Sequence, residues 1–450
     1  MGKKNKKRRS RSYDPAETMM PTMLSADLEP MARELHEKAC CGSKDTWPEL
    51  IANGGIENAS ADIRERFISQ ANKGMREAQN LIVDQIKKSS ELSASEEILF
   101  RGIADSIAWQ FLGHQLCHAR RLFKEQAPPN LKHSNFDSVV LAAANIIESH
   151  SDSMPLLSDL TSFVQVGDIL ANIPGQGMII YEVKEGKENE RLIDFMNFYG
   201  ESKCDRALQI FCEQSSPKSI KQLERMVRQT GRMVHFTDVV SKGVSKDPDT
   251  GQLIQIPEQE VQIDTWDKEL NQLLDNPEGK GWGIQVIDDC LFIGCYFDKT
   301  MIPAGHIIFN GWFDSCGGTE NCPRARLFDS MKIPLALPLF NRQIPHEKMF
   351  DLLFGRLQVC MGVNIESLIA QLKRAGLQVR FGTNRETTQL EQKGGKVYRH
   401  KGKSIFISNG KVEMTVADGI FVRMLFHGQK PVSLIKEMLE NTPVSEQGHR

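Results

Sequence analysis

The sequence predicts an α/β protein with a mixed central sheet flanked by helices, preceded by a helical region and followed by an α+β domain. Residues 163–171 and 178–184 are rich in β-branched and aromatic side chains and enclose a proline–glycine turn, which predicts a hairpin. Ser216 and Pro217 have the order of an N-cap and a first-turn proline, which predicts a helix. The chain of 450 residues is too long for one ordinary core, so we expect two or three domains.

The amino-terminal part is basic at its start and helical beyond it. Residues 1–12 form a dense basic tail that we expect to be disordered. Such a tail attracts polyanions without sequence preference, and the alternative is a charged terminus of no special use. Residues 13–130 follow as a helical accessory region.

One long, largely buried helix is predicted from Ser95 to Phe123 by its apolar periodicity. His114 and His118 share a face of this helix, as do the zinc-binding histidines of metalloproteases. Gln115 stands where that motif needs a glutamate base. We therefore interpret the two histidines as packing residues.

Residues 131–240 form the predicted core, which begins with a helix from Asp137 to His150 and continues into the hairpin. Alternation along the second strand of the hairpin places Glu182 and Lys184 on one face. Both faces of that strand begin with apolar residues, which is typical of a central strand.

Charged groups on a buried strand must be paired or bind a metal, because desolvating an isolated charge is costly. Asp168 lies late in the first strand, and hairpin pairing could bring its carboxylate beside Glu182, giving oxygen ligands for Mg²⁺ or Mn²⁺. Lys184 would orient or deprotonate the attacking water and offset charge on a phosphate. The grouping predicts metal-assisted phosphodiester cleavage, and the alternative is a structural salt bridge between Glu182 and Lys184.

These residues resemble the PD-(D/E)XK, or restriction-endonuclease-like, nuclease superfamily. Asp168 matches the first acid of the motif, and Glu182, Val183 and Lys184 match the E-X-K element. Gly167 stands where the superfamily usually has proline, a position at which many members vary. The resemblance implies a restriction-endonuclease-like core with Asp168, Glu182 and Lys184 as catalytic residues.

The resemblance also implies a glutamate that a helix carries toward the metal. Glu148, at the end of the predicted helix 137–150, is the candidate, which gives a metal-ligand set of Asp168, Glu182 and Glu148. Glu96 or Glu97 is the alternative ligand, although a helix-capping charge is the simpler role for either.

A basic amphipathic helix is predicted from Ser216 to a C-terminal cap at Gly231. Its apolar stripe consists of Ile220, Leu223 and Val227, and basic and amide side chains recur elsewhere on its surface. In the superfamily such side chains border the active site and hold the nucleic-acid backbone, whereas a solvated helix face is the alternative. The predicted nucleic-acid-binding residues are Gln222, Arg225 and Gln229.

The carboxy-terminal part consists of a predicted linker, residues 241–258, and an α+β domain, residues 259–450. Within it Tyr398 lies among basic residues and could stack on a base, although an exposed hairpin is the favoured interpretation. Four cysteines, at 290, 295, 316 and 322, have spacings that argue against a zinc site. The predicted elements are helices Thr265–Leu274 and Asn364–Gly376, strands Gly283–Phe297 and Gly305–Phe313, and a meander over Lys396–Phe426 with Asn409–Gly410 as a tight turn.

Composition limits the function classes. A net charge of −2 argues against a wholly basic nucleic-acid binder, and no apolar run approaches the roughly 20 residues of a membrane span. Ten irregularly spaced cysteines fit a reducing, cytoplasmic location. Together with the motif residues and the resemblance, this predicts a cytoplasmic metal-dependent nuclease that cleaves nucleic acid, with DNA the expected substrate, in prokaryotic defence or DNA processing by analogy alone. The alternative is a noncatalytic interaction module with an eroded nuclease fold, and the carboxy-terminal domain would recognise substrate, sense a partner or form a homo-oligomer.

Overall fold

The computed structural model describes residues 23–184, 186–247, 251, 253–255, 263–275, 279–319, 321–392 and 396–441. Across these ranges the chain is mixed α/β, as predicted, with sixteen α-helices and with strands that pair antiparallel throughout. The predicted basic tail, residues 1–12, lies outside the described residues. None of the described helices is long and apolar enough to cross a membrane.

The first part of the described chain is helical. The predicted single helix from Ser95 to Phe123 is wrong, because Gly113 and His114 both have a φ of 58° and interrupt it. A left-handed backbone cannot continue an α-helix, so two helices form on either side of these residues. The helices here are α1 (Glu29–Cys41), α2 (Trp47–Ala52), α3 (Ala61–Lys88), α4 (Ala94–Phe111), α5 (Leu116–Leu122) and α6 (Phe136–Ser149).

A three-stranded antiparallel sheet of β1 (Met154–Leu157), β2 (Ile169–Ile173) and β3 (Gly177–Tyr181) follows, with β2 in the middle. The predicted turn is confirmed, since Gly175 has a φ of 78° and Gln176 N–H donates to the Ile173 carbonyl at 2.9 Å, as a type II turn requires. Two predictions about this sheet are wrong. The sheet is antiparallel rather than mixed, and β3 lies at its edge rather than at its centre.

Three helices follow β3: α7 (Lys187–Ser202), α8 (Asp205–Gln214) and α9 (Pro217–Lys242). The predicted start of α9 is confirmed by the Ser216 side chain, which accepts the Ser219 N–H at 3.1 Å. The predicted end at Gly231 is wrong, because α9 continues to a left-handed cap at Gly243. An internal glycine costs only about 1 kcal/mol, and the last turns bury Phe236 and Val239, which outweighs that cost.

The buried face of α9 also differs from the predicted stripe. Val227 is 54% exposed, whereas Leu223 and Met226 are buried against Leu192 of α7. These three residues form a small cluster separate from the main core. Helix α9 therefore packs on both α7 and β3, and it covers the edge of the sheet that carries the candidate site.

The carboxy-terminal part differs from prediction in four places. The last part of the predicted meander, residues 418–425, is a helix rather than a strand. The predicted linker contains paired strands, the predicted strand Gly283–Phe297 is two strands joined at Asp288 and Asp289, and the predicted strand Gly305–Phe313 is a helix. The prediction of a cap at Asn364 is confirmed, since its side chain accepts the Ser367 N–H at 3.2 Å. The strands are β4 (Val244–Lys246), β5 (Leu253–Gln255), β6 (Trp282–Ile287), β7 (Leu291–Tyr296), β8 (Arg324–Arg326), β9 (Gln358–Val363), β10 (Gln378–Phe381), β11 (Arg399–His400), β12 (Lys403–Ser408) and β13 (Glu413–Thr415). The helices are α10 (Asp267–Leu274), α11 (Gly305–Ser315), α12 (His346–Leu353), α13 (Ile365–Arg374), α14 (Asn384–Gln392), α15 (Asp418–Leu425) and α16 (Pro431–Glu440).

One continuous hydrophobic core joins the helical region, the three-stranded sheet and the carboxy-terminal part. Trp109 of α4 illustrates the connection, because its indole N–H donates to the Ala336 carbonyl at 3.1 Å and its ring contacts Phe163 and His427. Helix α4 is buried along most of its length. It therefore forms a rigid support behind the loop that leads to Asp168.

Candidate functional site

Asp168 and Glu182 are brought together by the register of the hairpin. Ile169 is paired with Tyr181, so Asp168 and Glu182 flank the end of the paired register, and their carboxylates are close enough to interact electrostatically. Asp168 N–H donates to the Tyr181 carbonyl at 2.8 Å, and Val183 N–H donates to Asp168 Oδ2 at 2.6 Å. The predicted proximity of the two acids is confirmed, but Asp168 precedes its strand instead of lying late in it.

Gly167 allows the chain to enter this hairpin. Its φ is 74°, and a Cβ at this position would lie 2.2 Å from Ile180 Cγ2 and 3.0 Å from the Tyr181 carbonyl oxygen. Proline cannot adopt this conformation, because its ring fixes φ near −65°. The departure from the usual proline of the PD-(D/E)XK pattern therefore has a steric reason in this chain.

Glu182 and Lys184 follow β3 and form an ion pair between Lys184 Nζ and Glu182 Oε1. Their side chains are only 15% and 12% exposed, respectively. Gln229 of α9 donates a second hydrogen bond to the same oxygen, from Nε2 at 2.9 Å. The other carboxylate oxygen, Glu182 Oε2, and the amide oxygen of Gln229 are buried and accept no hydrogen bond. The site thus holds two buried oxygens that could accept a donor or a cation.

The surroundings of Asp168 raise the pKa of its carboxyl group. Burial and, to a smaller extent, the nearby Glu182 carboxylate raise the pKa of Asp168 to about 6. The Val183 N–H and the Lys184 ammonium oppose that rise in pKa, while Asp159 adds to it. A carboxyl whose charge is disfavoured in the free protein is one that a cation would stabilise.

Helix α4 positions the loop before Asp168 through two polar side chains. Asp105 accepts hydrogen bonds from the Ser162 N–H at 2.7 Å and from the Ser162 hydroxyl at 2.6 Å. Arg101 donates to the carbonyls of Asp159 at 3.3 Å and Thr161 at 3.1 Å. This network is not among the predicted site residues, although an aspartate in the middle of an apolar helix signals it, since buried charges are rare unless paired.

The predicted third metal ligand is not brought to the site. Glu148 is exposed near the end of α6. Glu96 completes a capping box with Ser93, and Glu97 accepts a hydrogen bond from Arg101 at 2.9 Å, so both serve helix α4. Within the described residues, no group of three or more histidine, cysteine, aspartate or glutamate side chains could hold a metal ion.

The three predicted nucleic-acid-binding residues of α9 have different surroundings. Gln229 contacts Glu182 directly. Gln222 instead donates to Asn189 of α7 at 3.3 Å, and Arg225 is exposed to solvent. Only Gln229 therefore contacts a residue of the site, whereas Arg225 and Gln222 lie one and two turns earlier on the same face of α9.

Tyr398 is not available to stack on a base. Its side chain is 9% exposed, its hydroxyl donates to the Asn321 carbonyl, and its ring packs against Phe421. The favoured interpretation of an exposed hairpin is also wrong for this residue, because the ring belongs to the main core.

Replacing Asp168 with asparagine should stabilise the protein above pH 6. A raised pKa means that the folded state retains its proton longer than the unfolded state, so the carboxylate costs stability as pH rises from about 4 to about 6 and remains costly above that. Asparagine can still accept the Val183 N–H. We expect a gain of roughly 1–2 kcal/mol at pH 7.5, discounted for partial exposure, and almost none at pH ~4. Thermal unfolding of both proteins across this pH range measures the difference in stability. A lower stability of the variant at pH ~7.5 would contradict the conclusion that the ionised Asp168 carboxylate destabilises the fold.

Comparison of the chain with known protein families, curated proteins and solved structures finds no match in any of the three. The resemblance to the PD-(D/E)XK superfamily therefore rests on Asp168, Glu182, Val183 and Lys184 alone. Functional inference must start from the geometry of these side chains.

Proposed function

We propose that this protein is a metal-dependent nuclease that hydrolyses phosphodiester bonds in nucleic acid, with DNA the expected substrate. The observation that carries the proposal is the buried Glu182 Oε2, which accepts no hydrogen bond and belongs to a carboxylate that interacts electrostatically with Asp168. A desolvated carboxylate oxygen without a donor is unfavourable and suits a site completed by a cation.

The donor set fits Mg²⁺ or Mn²⁺, which prefer carboxylate and carbonyl oxygens. Asp168 and Glu182 would hold the ion, and the Gln229 amide oxygen is a further buried oxygen beside Glu182. When bound, the ion would supply positive charge that stabilises the phosphodiester oxygens during cleavage. A metal must displace the proton of Asp168, so metal affinity should rise with pH through about 6.

Lys184 contributes a cation that the chain itself provides. Its ammonium is bonded to Glu182 Oε1 and also acts electrostatically on Asp168. An ammonium has three donors, so Lys184 can keep Glu182 oriented and still donate to a phosphate oxygen or to the attacking water. This arrangement would favour the pentavalent transition state over the ground state, because the negative charge on the phosphate oxygens shifts during cleavage.

The second candidate is a noncatalytic nucleic-acid or protein interaction module with an eroded nuclease fold. The specific observation in its favour is the direct ion pair between Lys184 and Glu182. A satisfied pair of this kind can be purely structural, since removing either partner leaves the other charge buried.

Cleavage assays with purified protein separate the two candidates. Linear, circular and single-stranded DNA and RNA are incubated with Mg²⁺, with Mn²⁺ or with EDTA, and Asp168→Asn protein is run beside the wild type. Metal-dependent products that are absent with the stably folded variant would support the nuclease. Salt-sensitive binding without cleavage under any metal condition would favour the interaction module.

Arg225→Ala should weaken nucleic-acid binding without changing the fold. Arg225 is exposed on α9, which also carries Gln229 of the site, so it is placed to contact a phosphate. Loss of one phosphate contact should reduce the slope of log K against log salt by about 1. Fluorescence anisotropy with a labelled DNA duplex at several salt concentrations measures that slope. Arg374→Ala on α13, whose arginine is exposed and pairs weakly with Asp289, is the control and should not change the slope.

A further inference from the structure

Two arginines that are distant in sequence lie close together where α5 meets α15. Arg120 of α5 reaches the start of α15, because its Nη2 lies 2.9 Å from the position that a Cβ of Gly419 would occupy. Arg423 lies one turn further along α15 and donates from Nε to Gln429 Oε1 at 2.7 Å. Both guanidinium groups thus face the same junction between two helices.

Neither arginine has a carboxylate to balance its charge. By contrast, some buried or partly buried arginines of this protein are paired, as Arg342 is with Asp267 and Arg326 with Asp329. Among the residues that the structure describes, Arg120 and Arg423 form no ion pair with an acid. This arrangement leaves two positive charges at one junction without a protein counter-charge.

The surroundings add to the cost of these charges. Burial, followed by the charge of Arg120, lowers the pKa of Arg423 to about 10. The nearest acid in the sequence of α15, Asp418, interacts with Lys396 instead. Arg120 also lies at the amino-terminal end of α15, where the helix dipole disfavours a cation. Each effect would be reversed by an anion at the junction.

The groups near the two arginines include a third cation, Arg121, whose charge acts on Arg120, and an acid, Asp418, at the start of α15. The Cys117 thiol lies close enough to both guanidinium groups to interact with their charge, and burial raises its pKa, so it is uncharged at neutral pH. Burial lowers the pKa of His427 to about 3, so this neighbouring imidazole is neutral as well. An incoming anion would therefore meet three arginines and one nearby carboxyl, Asp418, whose pKa burial raises.

We propose that Arg120 and Arg423 form a binding site for a phosphate group. Guanidinium groups bind tetrahedral oxyanions through paired N–H donors, and two of them can contact different oxygens of one phosphate. Arg120 remains exposed while Arg423 is half-buried, so the junction has an open side for a ligand. This site is separate from the metal site and does not depend on the proposed nuclease function.

The phosphate can come from a nucleic-acid strand or from a small phosphorylated molecule. A structural link favours testing the strand, because the end of α5 joins the segment that leads to the candidate site. Gln165 donates its N–H to the Leu122 carbonyl at 2.9 Å, two residues before Gly167. A strand that reaches Asp168 would pass elements that adjoin the arginine pair.

Thermal unfolding of the full chain tests the site with inorganic phosphate as the probe. Sodium phosphate at about 10 mM is compared with sodium chloride of equal ionic strength, for the wild type, Arg120→Gln, Arg423→Gln and the control Arg374→Gln. We expect phosphate to raise the Tm of the wild type and of the control by about 2–4 °C, and to raise neither of the other two. Persistence of the full shift in both Arg120→Gln and Arg423→Gln would overturn the proposal.

Two further measurements keep the test informative. In chloride alone, Arg423→Met should have a Tm equal to or above that of the wild type, because the substitution removes the repulsion between two positive charges. A clearly lower Tm would mean that Arg423 stabilises the fold, and would count against a ligand site. Titration calorimetry then compares inorganic phosphate, a mononucleotide and a short single strand. Binding of any of these that Arg423→Gln weakens tenfold supports the site and identifies the source of the phosphate, whereas no binding by the wild type to all three overturns it.

Discussion

Glu182→Gln is expected to lower metal-dependent cleavage by roughly a hundredfold or more while leaving the protein folded. Glutamine has the same shape and can still accept hydrogen bonds from Lys184 and from Gln229 Nε2. The substitution removes only the negative charge that would hold a metal. Single-turnover cleavage with excess enzyme at saturating Mg²⁺ measures the effect, and circular dichroism and thermal unfolding verify the fold.

Two further variants make this expectation specific. Glu224→Gln, an exposed position on α9, is the matched control and should cleave like the wild type. Lys184→Met alone leaves the Glu182 carboxylate buried without its ion pair and should destabilise the protein by about 3–5 kcal/mol. The double variant Glu182→Gln, Lys184→Met should recover much of that stability and remain inactive. Full activity in the double variant would rule out both residues as catalytic.

Gly167→Ala is expected to destabilise the protein by about 2–4 kcal/mol, the largest stability effect of a single methyl group at this site. A new Cβ would meet Ile180 Cγ2 at 2.2 Å, and alanine is strained at a φ of 74°. Gly167→Pro should be worse, because proline cannot adopt a positive φ. Introducing proline, the usual residue of the PD-(D/E)XK pattern, should therefore disrupt the site.

Gly175→Ala provides the matched control for this substitution. Gly175 has a φ of 78°, but nothing lies within 4 Å of the position its Cβ would occupy. It should lose only the roughly 1 kcal/mol that a left-handed backbone costs alanine. Denaturant unfolding of both variants gives the comparison. Equal losses at the two glycines would contradict the steric interpretation of Gly167.

Short sequence motifs correctly predicted the turns and helix caps, which depend on residues that are neighbours in the chain. The turn at Pro174 and Gly175, the N-cap at Ser216 and the N-cap at Asn364 were all predicted correctly. Each depends on φ preferences or on a side chain that bonds its own backbone a few residues away. Such features are determined by the chain locally, and tertiary contacts do not have to select them.

Elements that depend on packing between distant parts of the chain were not predicted. Residues 305–313 were expected to be a strand, but they form most of α11, in which Phe313 packs on Phe292 of β7 and on Phe309. A short apolar run fits the residue spacing of a buried helix and of a buried strand equally well. Only the surface on which the segment packs selects one of them. The same reason explains why α9 continues past Gly231, since packing of Phe236 and Val239 outweighs the local glycine signal.

The sequence by itself determined that Asp168 and Glu182 would meet, because a hairpin with a defined turn fixes its register. Only the tertiary structure decided what surrounds them. It brought Gln229 from α9 to Glu182, left Glu148 at the surface, and placed Arg120 beside α15. These contacts join residues that are far apart in the chain, and their geometry depends on how whole helices pack in the shared core.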